Sequence, residues 1–251
     1  MKVPRLAVLA GAAAITMVSA GVASAVPAGA SPSRASGPAA ITTVTDTVFA
    51  GYVTGGNWRF RYVAADVPMA ACRAAANQNA VASIALKSGT FGEDAHLDLR
   101  CGGGHGSVMF GTTADAEGHF QLSPSVGDVL RISIYRNTAA CRDEFAATNT
   151  RTNNTKMVTV STACTVVYRH AAPGATFTNF FSGVFSPPAA NVRLWEFRNV
   201  AVTSYNGTHG TICGPWPTEK HLAAPVIAVR MIPSDPSNNC RNFNVLLKGT
   251  S

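Results

Sequence analysis

The chain has 251 residues, with 20 Lys and Arg against 13 Asp and Glu, a formal net charge of +7, and charged residues make up only 13% of it. The basic residues are scattered (Arg59, Arg61, Arg73, Arg100, Arg131, Arg136, Arg151) and form no run, so no nucleic-acid partner is expected. No apolar stretch beyond the N-terminus approaches the length of a membrane span, and no transmembrane segment is expected.

The N-terminus reads as an export signal. Lys2 and Arg5 precede an apolar run from Leu6 to Ala20, and Ala23-Ser24-Ala25 supplies the small residues a signal peptidase requires. This predicts a signal peptide over residues 1–25, a Pro/Ser/Ala/Gly-rich flexible leader over 26–41, and a single domain over 42–251. A secreted, extracellular protein follows, and a monomer is expected.

Helical periodicity is nearly absent from that domain. Short β-branched and aromatic runs recur between Gly, Pro and Asn. "DTVFAGYVTGG" reads as a strand and turn, and "NWRFRYVAADVP" as a strand alternating Arg59 and Arg61 against Trp58, Phe60 and Tyr62. "MAACRAAANQNA" is Ala-rich but short, a loop or a single turn. "AVASIALKSG" and "AHLDLRC" are strands, and "GGGHG" a hairpin turn. "GDVLRISIYR" and "KMVTVST" follow as strong strands. In "TVVYRHAAPG", Val166, Val167 and Tyr168 are strand formers that Pro173 and Gly174 cut off. The phenylalanines of "TFTNFFSGVF" (177, 180, 181, 185) read as core and sheet-edge packing for at least two of them, with an exposed subset able to stack on sugars or peptides. "NVRLWEFRNVAVTSY" is long enough for a curved strand or two with a bend, and "APVIAVRMIP" and "RNFNVLLKG" are the last strands. A dozen or more short strands separated by turns predict an all-β antiparallel sandwich.

Six cysteines in an exported chain favour disulfides, and no Cys-x-x-Cys spacing suggests structural zinc. Fifteen pairings are open to six cysteines. Pairing sequence neighbours gives Cys72–Cys101, Cys141–Cys164 and Cys213–Cys240, each stabilising by ~3 kcal/mol through loop closure.

The order of elements resembles the eqolisins, or glutamic peptidases. "FAGYVTGGNWRFRYVAADVP" is similar to that family's opening, "LSPSVGDVLRISIY" to its Pro-Gly-Asp strand, and "EFAATNTRTNNTKMVTVS" to its Asn-Thr-Thr-Gly hairpin. "SIALKSG" falls where the family has Trp-Val-Gly-Ile-Asp-Gly, "TVVYRHAAPG" where it has Glu-Trp-Ile-Val-Glu, and "NVRLWEFRNVAVTS" where it has Val-x-Phe-x-Asn-Ala. The resemblance spans roughly residues 48–249 and implies a lectin-like (concanavalin A-like) sandwich with a concave groove. It also implies a catalytic pair: a glutamate as general base and a glutamine amide that orients water and holds the oxyanion. Neither is retained. The strand "EDAHLDLRC" holds no glutamine, the only two in the chain being Gln78 and Gln121, and no Asp or Glu lies between Phe145 and Trp195. "GSVMFGTTAD" replaces the family's aromatic cleft lining.

What stands in place of the pair is "DAHLDLR". Alternation puts Asp94, His96, Asp98 and Arg100 on one face and Ala95, Leu97 and Leu99 on the core side. Such a row is either a solvated strand face or an acid/base or metal-ligating site. Arg169, near the family's glutamate position, offers a guanidinium to bridge Asp94 or Asp98 across the groove. Asp94, His96, Asp98 and Arg169 are therefore the ligand-site candidates. No catalytic residue, metal or cofactor is assigned. The expectation is an exported, non-catalytic protein that binds a peptide or glycan. The alternative is a diverged acid hydrolase using Asp94, His96 and Asp98.

Overall fold

The computed structural model describes residues 40–46, 48–71, 80–89, 94–102, 105–112, 115–177, 194–226 and 229–249. All belong to the second of two units into which the chain divides, Ser36–Ser251. Among the described residues there are sixteen strands and no helix. The first eight are β1 (Ile41–Asp46), β2 (Phe49–Thr54), β3 (Phe60–Pro68), β4 (Ala80–Lys87), β5 (Asp94–Gly102), β6 (His105–Thr112), β7 (Asp115–Phe120) and β8 (Val129–Asn137). The rest are β9 (Arg142–Asn149), β10 (Asn154–Ser161), β11 (His170–Phe177), β12 (Leu194–Ser204), β13 (His209–Gly210), β14 (Thr218–Val226), β15 (Val229–Pro233) and β16 (Phe243–Gly249).

The strands pair in the order β10-β9-β8-β3-β12-β16-β15-β14-β2-β11-β4-β5-β6-β7. β12 divides this path into two sheets. Its Leu194–Phe197 half pairs with β16 in sheet A, and its Arg198–Ser204 half pairs with β3 in sheet B. The bend between them is a register shift at Arg198/Ala201, where Asn199 takes φ 52°. Asn is among the few side chains that tolerate that conformation, so the predicted bend in "NVRLWEFRNVAVTSY" has a local cause. Pairing is antiparallel except for β1, which runs parallel to β14.

The sheets pack face to face because alternate residues of each are apolar. Ile84, Leu86, Leu97, Leu99 and Val108 of sheet A meet Val63, Val67, Leu130, Ile132, Ile134 and Phe145 of sheet B in one buried cluster. Phe110 of β6 reaches Phe145 of β9 with ring centroids 5.5 Å apart. A fully buried side chain of this size contributes about 1.5–3 kcal/mol. One end of the core is filled by Trp216, edge-on to Phe60 at 5.1 Å and to Trp58 at 5.6 Å. It fits because Gly210 has no Cβ, which would come within 2.8 Å of the indole.

Two strand boundaries differ from the sequence reading. Val166–Tyr168 is not a strand. It is an irregular lead-in whose Tyr168 makes an isolated bridge to Phe60, and β11 starts at His170 and runs through Pro173 and Gly174. Pro173 is tolerated because its nitrogen points at the β2 edge before regular pairing begins there at Gly174↔Gly51. On that same edge the Thr54 hydroxyl serves Ala171, accepting from its N–H at 2.9 Å. "APVIAVRMIP" is likewise split. Val226 of β14 pairs antiparallel with Val229 of β15, and no Gly, Asn or Asp in "APVIAVRMIP" announces the division.

The lead-in to β11 is anchored by buried polar groups. Arg136 and Asp143 form an ion pair at 3.5 Å with both side chains fully buried. Arg136 also donates to Ala163 O at 2.7 Å, while Asp143 accepts from Thr162 Oγ1 at 2.6 Å and from the Tyr168 hydroxyl at 2.8 Å. Burial, and then the Asp143 carboxylate, push the Tyr168 hydroxyl well above the ordinary tyrosine range, so it remains a donor. The Cys141–Cys164 disulfide, with a Cα separation of 4.5 Å, clamps the same segment, and Cys213–Cys240 closes at 5.6 Å. Both match the nearest-neighbour pairing. Residues 72–79 of "MAACRAAANQNA", Cys72 among them, and the phenylalanine-rich run from residue 178 lie outside the described residues, as do the side chains of Cys101 and Phe177.

Candidate functional site

The first candidate is the outer face of sheet A. Register places Gly51, Gly174, Ser83, Asp98, Met109 and His119 in one row across six strands. The next row holds Ala172, Ala85, His96 and Gly111. β5 alternates as its sequence implies: Ala95, Leu97 and Leu99 are fully buried in the core, and His96 and Asp98 point the other way. These two line a depression of about 200 Å³ together with Phe49, Ser83, Lys87 and Thr176.

The depression is shallow because β2 and β11 fill it. A Cβ on Gly51 would stand 2.4 Å from Pro173 O, and one on Gly174 2.5 Å from Phe49 Cζ. The two glycines therefore let the Phe49 ring lie flat over the strand pair, where it clusters with Ala85 and Ala172. Lys87 Nζ sits 5.9 Å from the centre of that ring, and His221 meets its edge, also at 5.9 Å. His221 is held between two carboxylates, Asp46 Oδ2 at 3.2 Å and Glu219 Oε2 at 3.1 Å. Burial opposes charge on both partners, yet their contact wins. Asp46, which also accepts from the N–H groups of Val48 and Phe49, is held down at about 2, and His221 is raised by Asp46 and Glu219.

Asp98 forms its ion pair with Arg100 of its own strand, at 3.3 Å, in place of a bridge to Arg169. Arg169 lies one residue before β11, exposed, donates its backbone N–H to Lys87 O, and is not among the residues of the depression. Asp94 begins β5 opposite Lys87, but its side chain lies outside the description. The remaining outward positions of the neighbouring strand are His170, Ala172, Gly174 and Thr176. No carboxylate stands among them. Among the described residues no group of three His, Cys, Asp or Glu is placed to hold a metal ion.

The second candidate lies on the outer face of sheet B and was not legible as a site in the sequence. A cleft of about 660 Å³ is lined by Arg61, Tyr62, Arg131, Tyr135, Thr203, His209 and Arg241, among others. Arg61 and Tyr62 both reach it, although strict alternation sends them to opposite faces. The cause is a register shift between Thr203↔Tyr62 and Ser204↔Phe60, which gives β3 an extra residue against β12. Phe60 and Val63 on either side remain fully buried. Tyr62 stands directly opposite Tyr135 of β8, and Asp66 opposite Arg131. Asp66 accepts from Arg131 Nη1 at 2.9 Å and from Asn199 Nδ2 at 2.8 Å. His209 contacts Thr203 Oγ1 through Nδ1 at 3.0 Å. The alternating aromatic and arginine residues of "NWRFRY" were the one available signal. Their convergence with Arg131 and Arg241 needed the strand register.

No family model matches the chain, and no curated protein matches its sequence. Solved structures do. Scytalido-glutamic peptidase bound to a transition-state analogue inhibitor is 15% identical with a TM-score of 0.62, over 82% of this chain and 99% of that one. The same peptidase with a peptide-based transition-state analogue gives 13% and 0.57 over the same shares. SCP-B, a member of the eqolisin family in complex with the tripeptide Ala-Ile-His, gives 15% and 0.53, again over 82% and 99%. Likeness at this identity is a likeness of architecture: the chain carries the β-sandwich fold of the glutamic peptidases.

Proposed function

We propose that this chain is an exported, non-catalytic binding protein on a glutamic-peptidase-like scaffold, taking a peptide or glycan ligand on an outer sheet face. One observation carries this reading. Where the scaffold's chemistry calls for a carboxylate and an amide, β11 offers His170, Ala172, Gly174 and Thr176, and β5 offers His96 and Asp98. Asp98 is already paired with Arg100, and no glutamine lies on either strand. A general base without an oriented water and an oxyanion donor forgoes most of the rate enhancement. On this face His96 and Asp98, with Asp94 at the start of the strand, are the polar contacts for a ligand, and Arg169 stands at the end of the face.

The signal-like N-terminus supports export, and two disulfides are in keeping with it. N-terminal sequencing of the mature protein is expected to begin at Val26, followed by the leader to residue 41 and a single domain over 42–251. Sedimentation is expected to give a monomer.

A second reading, a hydrolase built on Asp94, His96 and Asp98, is favoured by the presence of His96 and Asp98 in one depression. Incubation of the full chain with a peptide library from about pH 3 to about pH 8 separates the two. No cleavage is expected. Cleavage lost in both His96→Ala and Asp98→Ala, with folding intact, would establish the hydrolase instead.

A further inference from the structure

We infer that the cleft on the outer face of sheet B binds an anionic oligosaccharide, a short run of sugar rings bearing carboxylate or sulfate groups. This goes beyond the reading above and does not depend on the sheet A depression.

The cleft gathers guanidinium groups from three separated stretches of chain: Arg61 on β3, Arg131 on β8 and Arg241 in the turn before β16. Only Arg131 is compensated, by Asp66. Among the described residues, Arg61 and Arg241 have no ion pair and no side-chain hydrogen bond, and no carboxylate lines the cleft. Two uncompensated forks of N–H donors in one concavity suit a ligand that brings its own negative oxygens, because carboxylate and sulfate match the guanidinium geometry in pairs. Between the arginines, Tyr62 and Tyr135 stand side by side across the β3–β8 pair. Their rings give an apolar face for a sugar ring, and their hydroxyls, with Thr203 and Thr211, give partners for its hydroxyl groups.

A saccharide fits better than an acidic peptide or a nucleic acid. Peptides that add to sheets use free strand edges. Here β3 is paired on both sides, by β8 and β12, so its main chain is committed and the cleft recognises through side chains. Single-stranded nucleic acid needs a cationic track along its backbone, whereas this positive charge is confined to one cleft of about 660 Å³.

The test is calorimetric titration of the protein from Val26 on with trigalacturonate, a sulfated tetrasaccharide and neutral cellotetraose. Hexaglutamate and a single-stranded DNA dodecamer complete the set. At least one anionic saccharide is expected to bind at least tenfold tighter than cellotetraose, and the two anionic arms distinguish carboxylate from sulfate. Arg61→Ala and Arg241→Ala are each expected to weaken that binding about tenfold, with Arg61→Lys retaining part of it. Both residues are unpaired, so these variants should melt like the parent. His96→Ala and Asp98→Ala should leave this binding unchanged, which separates it from any ligand of sheet A. Three outcomes overturn the inference: neither anionic saccharide binds, binding survives the double variant Arg61→Ala/Arg241→Ala, or hexaglutamate or DNA binds as tightly as the best saccharide.

Discussion

The two outer faces of the sandwich solve opposite problems. On sheet A the polar groups answer one another: Asp98 with Arg100, and His221 with Asp46 and Glu219. The apolar ring of Phe49 closes what remains over two glycines. On sheet B the cleft has about three times the volume, and two of its cations are without partners among the described residues. The difference between the two faces is electrostatic before it is geometric.

The largest expected effect concerns what keeps the sheet B face in shape. Asp143 lies one residue along β9 from Glu144, the partner of Tyr135, and is buried against Arg136. Asp143→Ala leaves a buried guanidinium unpaired and strips Thr162 and Tyr168 of their acceptor. A loss of about 3–5 kcal/mol in denaturant unfolding is expected. A loss under about 1 kcal/mol would mean the face does not rest on that network.

On sheet A, a smaller cost is expected for disturbing the glycine bed. Gly51→Ala places a methyl against the Pro173 carbonyl and the Phe49 ring and should cost about 1–3 kcal/mol. Phe49→Ala on an intact bed should enlarge the depression instead, measurable as new binding of a small aromatic probe. If neither variant differs from the parent, the face is not closed by this ring.

The pH response sharpens the contrast further. Asp46, depressed to about 2, contributes stability that is complete above its ordinary value of 3.8 and lost as pH falls through about 2. His221, raised above 6.5, contributes stability that is complete below 6.5 and lost as pH climbs through its raised value. The melting temperature should therefore be highest between these limits. His221→Gln should flatten the alkaline limb, and an unchanged limb would remove this contact from the account. The smallest effect is expected at Asp98→Asn. Its pair with the partly exposed Arg100 is worth at most about 1 kcal/mol, so a larger loss would show Asp98 to be structurally essential.

Much of the architecture was legible in the residues. β5 could be read because Asp94–Arg100 alternates cleanly and one face must be buried, and β12 as a curved strand or two with a bend because "NVRLWEFRNVAVTSY" is too long for one short strand. β11 could not. "HAAPGATF" contains no strand former before Thr176, and its small residues suit close packing under Phe49, a contact with a segment more than a hundred residues away. The preceding Val166-Val167-Tyr168 looked like a strand because Tyr168 is apolar enough to be buried, whereas it is held there by its hydroxyl on Asp143.

The sequence by itself determined an all-β chain and the absence of any Asp or Glu between Phe145 and Trp195, and pairing neighbouring cysteines anticipated two of the disulfides, because these are matters of composition, spacing and residue identity. Only the tertiary structure decided that Arg169 stands apart from the depression and that Arg61, Arg131 and Arg241 share one cleft. Those outcomes depend on strand register. A single extra residue at Arg61 changes which side chains face outward, and no local pattern records what the partner strand will place beside them.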